Sequence, residues 1–76
     1  MPQFYFHIRE QDHLIPDEEG MVLLDLAEAR REALESCLDL IRNRVHGSHR
    51  PGGLRIEIAD ASGKVLESVD VRDACH

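Results

Sequence analysis

The sequence predicts an α+β domain of the order β-β-α-β-β, with an antiparallel sheet of three to four strands and one long helix packed on one face. Two observations carry this. Residues 4–9 and 54–59 each alternate apolar and polar side chains, the two-residue period of strands with one buried face. Between them, residues 26–45 contain no Gly or Pro and repeat apolar side chains with the period of an amphipathic helix.

Each element can be justified in turn. Phe4, Phe6 and Ile8 point one way, and Tyr5, His7 and Arg9 the other. Residues 10–13 are polar and read as a turn. Leu14 and Ile15 are stopped by Pro16, the acidic turn Asp17-Glu18-Glu19-Gly20 follows, and residues 21–24 are apolar again. An irregular second strand is expected within residues 14–24. Asp25 opens the helix, and Glu28 three residues on makes a close relative of the capping box. Leu26, Ala29, Ala33, Cys37, Leu40 and Ile41 form its apolar stripe, widened by Leu34, Leu38 and Val45. Gly47 ends it, and residues 46–53 form a breaker-rich loop. In the next strand Leu54, Ile56 and Ile58 face inward. Residues 60–63 make a turn, and residues 64–71 the last strand. The parity of that strand is untidy, because Glu67 shares a face with Val65, Val69 and Val71 while Leu66 lies opposite, so a bulge or an edge position is expected. The chain reads as a single domain over residues 1–76, ordered from about 3 to 71, with a frayed tail over 72–76.

The elements Phe4-Tyr5-Phe6-His7-Ile8-Arg9, Ile15-Pro16-Asp17-Glu18-Glu19-Gly20, Asp25-Leu26-Ala27-Glu28-Ala29 with Glu32-Ala33, and Arg55-Ile56-Glu57-Ile58-Ala59-Asp60 followed by Gly63-Lys64-Val65-Leu66 occur in this order. In these residues the chain resembles a family of very short proteins, found in rhizobia and related alphaproteobacteria, catalogued as a domain of unknown function. The resemblance runs from about Phe4 to Val69 and implies a stand-alone protein with no assigned activity. In layout alone the chain is also similar to antitoxins whose N-terminal half is a partial double-stranded-RNA-binding fold, although it lacks their separate DNA-binding segment.

Composition narrows the function classes. A net charge of −6 argues against a phosphate backbone as the main partner, since affinity for nucleic acid rests on Lys and Arg. The nucleic-acid alternative would use Arg9, Arg42, Arg44, Arg50 and Arg55. Two cysteines, Cys37 within the helix and Cys75 near the end, do not make a disulfide scaffold and are expected as reduced thiols in a cytoplasmic protein. No signal-peptide pattern opens the chain, and no apolar stretch approaches the roughly 20 residues that span a bilayer.

Four candidate surfaces follow. Tyr5, His7, Arg9, Arg55 and Glu57 should line the sheet face opposite the helix, where they form a binding surface for an anion or carboxylates, or a solvated face with cross-strand Arg–Glu pairs. His46 and His49, with Cys75, His76 and His13 elsewhere, offer a weak metal-ligand pattern in a Gly-rich loop. The acidic turn lacks the alternating oxygen spacing of a calcium loop. Self-association through a strand edge or the wide helix stripe is the fourth. No nucleophile context, phosphate loop or cofactor motif is present, so no catalytic residue and no cofactor are expected. The favoured reading is a small non-catalytic interaction or regulatory module.

Overall fold

The structure, a computed structural model, describes residues 1–44 and 54–70. Its elements are β1 (Gln3–Glu10), β2 (His13–Ile15), β3 (Met21–Val22), α1 (Leu26–Arg44), β4 (Leu54–Ala59) and β5 (Val65–Asp70). All strand pairings are antiparallel and join five strands in one sheet of order β2-β1-β4-β5, with β3 pairing β1.

The expected second strand is split in two. Ile15 stands opposite Ile8 in β2, and Met21 opposite Phe4 in β3, so residues 16–20 bulge past the three residues Tyr5, Phe6 and His7. Pro16 has no amide to donate at the point of interruption. The detour is held by Asp17, whose carboxylate accepts from the amide of Phe6 at 3.1 Å and from those of Glu19 at 3.1 Å and Gly20 at 3.2 Å. Gln3 Nε2 donates to the Glu19 carbonyl at 2.9 Å. Gly20 has φ +72°, and a Cβ there would lie 2.9 Å from both the Phe4 carbonyl oxygen and the Tyr5 ring. Only glycine meets both demands.

The helix starts as its sequence dictates. The Asp25 carboxylate accepts from the Glu28 amide at 2.9 Å, while the Glu28 carboxylate reaches the Leu24 amide at 3.4 Å, one residue before the usual target of a capping box. Ala29, Ala33 and Cys37, spaced by four, are fully buried. These small side chains let α1 lie close over β4 and β5, which it contacts. Leu26 and Leu38, expected within the buried stripe, are instead 36% and 39% exposed. The stripe is wider than the sheet the helix covers.

The core joins Ala29, Ala33 and Cys37 to Phe4, Leu23, Leu54, Ile56, Ile58 and Val69, with Phe6, Ile8 and Leu34 half-buried at its margin. Phe6 and Ile8 stay marginal because the helix sits toward β5 rather than centrally over β1. The ambiguous parity of the last strand has a direct cause. The β4–β5 register slips between Ile58 and Ala59, so that Ile58 faces Glu67 while Ala59 faces Val65. Leu66 is the extra residue of that bulge, and β5 is also an edge strand, so both devices are present. At the preceding turn, Asp60 Oδ1 accepts from the Ser62 hydroxyl at 2.6 Å and from the amides of Ser62 and Lys64, which holds its carboxyl below the ordinary carboxylate range.

Candidate functional site

Register places the five expected face residues together. Tyr5, His7 and Arg9 alternate along β1 on the face turned from the helix, directly opposite Ala59, Glu57 and Arg55 of β4. They are not fully in water. Tyr5, His7, Arg9 and Glu57 are half-buried and only Arg55 is exposed. Two features account for this. Residues 16–20 fold against Tyr5 and His7, with the Asp17 amide donating to His7 Nδ1 at 2.9 Å. Glu57, with 12% of its side chain exposed, accepts from Arg9 Nε at 2.8 Å and lies 3.8 Å from Arg55 Nε.

The chemistry of this face is therefore largely satisfied from within. A guanidinium bonded to a carboxylate has less to offer an incoming anion, and the Nδ1 of His7 is already engaged by the Asp17 amide. Tyr5 stacks beside His7, ring centroids 6.4 Å apart and 23° from parallel. The Asp17 carboxyl feels two opposed influences: partial burial raises it, and the amides of Phe6, Gly20 and Glu19, with His7 nearby, outweigh burial and leave it below its ordinary value. Asp17 orders a loop rather than presenting a charge. In Pro-Asp-x-x-Gly the Asp17 side chain captures the amides that follow it, a turn chemistry its residue types favour.

A second surface adjoins the strand edge and wide helix stripe that the sequence offered for self-association. Between α1 and the outer strand β5 lies a groove of about 510 Å³, lined by Leu26, Ala27, Arg30, Arg31, Leu34 and Glu67. Its helix wall follows from spacing: Leu26, Arg30, Leu34 and Leu38 recur every four residues and share one flank of α1. Its strand wall follows from the bulge, which keeps Glu67 on the helix side opposite Ile58. Glu67 Oε2 lies 2.8 Å from Arg30 Nε, an ion pair without hydrogen-bond geometry, and this buried oxygen accepts no hydrogen bond among the described residues. Arg31 is exposed and makes no ion pair among the described residues. Beside the groove, Val65 is 47% and Leu66 37% exposed, and no described strand pairs with the outer edge of β5. The signal was legible as a mismatch, a glutamate on the inward parity of the last strand and leucines too many for the stripe.

The other candidates are placed as follows. His46, His49, Arg50, Cys75 and His76 lie outside the described residues, as do the side chains of Arg42 and Arg44. No group of three potential metal ligands occurs among the described residues, and His13 stands in β2 opposite Glu10. No described helix is long and apolar enough to cross a membrane. In comparisons with known proteins, one family model matches residues 3–74. No curated protein and no solved structure matches the chain.

Proposed function

The chain belongs to that family, described as a domain of unknown function (DUF6894), and from this premise we propose that it is a small interaction module without chemistry of its own, associating through the β5 edge and the adjoining α1 groove. The observation that carries the reading is the coincidence of a strand edge, exposed leucines and a Glu67 oxygen that accepts no hydrogen bond among the described residues, all on one side of the molecule. Exposed edges invite pairing with another chain, in which main-chain bonds supply affinity and adjacent pockets supply selectivity. The helix-free face, whose charges are already paired, is the weaker surface. Placement among short alphaproteobacterial proteins and action in the cytoplasm are part of this proposal. They rest on the residues shared with that group.

Amide chemical shifts of the full chain distinguish the surfaces. They are followed in two titrations, one raising its own concentration and one adding peptides selected by display against it. Perturbation in β5 and residues 26–34 in either titration is the expected result. Perturbation confined to Tyr5, His7, Arg9, Arg55 and Glu57, or none in both titrations, overturns the reading.

A further inference from the structure

We infer that the occupant of the β5 edge and groove is a second copy of this chain, joined about a two-fold axis so that the two sheets become continuous. The inference rests on the interaction reading above and goes beyond it by naming the partner. An isologous interface must be self-complementary, because each residue meets the same patch on the other copy. This patch is self-complementary. It holds a cation with no ion pair among the described residues, Arg31, together with a buried carboxylate oxygen, Glu67 Oε2, that lies 2.8 Å from Arg30 Nε but accepts no hydrogen bond among the described residues. It also holds the exposed apolar side chains Leu26 and Leu38 on one flank of α1.

Strand geometry narrows the register. Antiparallel pairing of two β5 edges places the axis perpendicular to the sheet, and directly opposed residues then share a face. Glu67 and Val69 lie on the helix side and Ser68 on the other, so the axis must pass through a residue rather than between two. An axis at Glu67 would set two carboxylates directly opposite each other, a destabilising arrangement. An axis at Ser68 sets Glu67 opposite the second copy's Val69 and separates the carboxylates. Both helices then lie on one side of the joined sheet. Arg31 of each copy approaches Glu67 of the other, which supplies the missing donor, and Leu26 and Leu38 close the gap between helices. Both helix-free faces lie side by side on the reverse.

Sedimentation of the full chain over a range of concentrations tests this. The wild-type chain is expected to form a dimer. The variants Arg31→Glu and Leu26→Lys, both at exposed positions, should each weaken it at least about tenfold without altering the far-UV circular dichroism. Tyr5→Phe, on the opposite face, should leave it unchanged. A monomer at every concentration, or a dimer indifferent to both groove variants, overturns the inference. A monomer whose groove is still perturbed by selected peptides removes the second copy as partner and leaves the interaction reading standing.

Discussion

At the scale of single residues, Asp17 does the work of a missing strand. Where the chain leaves β1 between β2 and β3, the Phe6 amide has no ladder partner, and the Asp17 carboxylate takes it together with the amides of Glu19 and Gly20. Removing that acceptor while leaving the donors part-buried costs the desolvation of each unsatisfied group. Asp17→Ala should lower stability by about 1–3 kcal/mol, measured by urea unfolding at neutral pH. The charge adds a pH signature. The Asp17 carboxyl lies below its ordinary value in the folded chain, so its contribution is complete above the unfolded value near 3.9 and is lost as pH falls through the lower folded value. The stability difference between wild type and Asp17→Asn should therefore shrink in acid below about pH 4. A difference constant with pH would show that the carboxylate acts only as a neutral acceptor.

At the scale of elements, the helix was the most legible part of the sequence and the second strand the least. Asp25 begins α1 because its carboxylate receives the Glu28 amide, a local event that a local pattern reveals. Asp25→Ala should cost about 1 kcal/mol, read as a lower unfolding midpoint with an unchanged denaturant slope. The strands β1 and β4 were equally readable, since each alternates apolar and polar side chains in sequence, although in β1 only Phe4 is buried and in β4 Ala59 is buried next to Ile58. The region of β2 and β3 was not. Pairing there depends on a five-residue detour fixed by Asp17, whose carboxylate takes the Phe6 amide and whose own amide donates to His7 Nδ1, and period-two reasoning is blind to such contacts. The five residues of the helix-free face were correctly grouped by parity. Parity could not show that Arg9 and Glu57 bond each other across strands, which depends on register. The groove was legible only as a helix stripe too wide for one small sheet. Leu26, Leu34 and Leu38 looked like core because apolar spacing marks a face without stating how much of it a neighbour covers.

At the scale of the whole molecule, the balance between a small sheet and a long helix decides how the chain holds together. Nineteen residues of α1 run about 28 Å, and among its described side chains the fully buried row is Ala29, Ala33 and Cys37. Small side chains bury little area, so the apolar weight of the core falls on the strands, above all on Ile56 and Ile58 at 1% and 0% exposure in the central strand β4. A single domain of this size is expected to be stable by only about 4–11 kcal/mol. Truncating a fully buried isoleucine removes transfer energy and leaves a cavity, together about 2–5 kcal/mol. Ile56→Ala should therefore consume a large share of the total and lower the melting temperature by about 10 °C or more. Because helix, β4 and β5 share one core, the loss should shift a single transition seen alike by helix-sensitive and tyrosine-sensitive probes. Tyr5 reports from the helix-free face and α1 from the other, so two separate transitions would mean that the layers unfold independently. In that case the close alanine row would not suffice to couple helix to sheet.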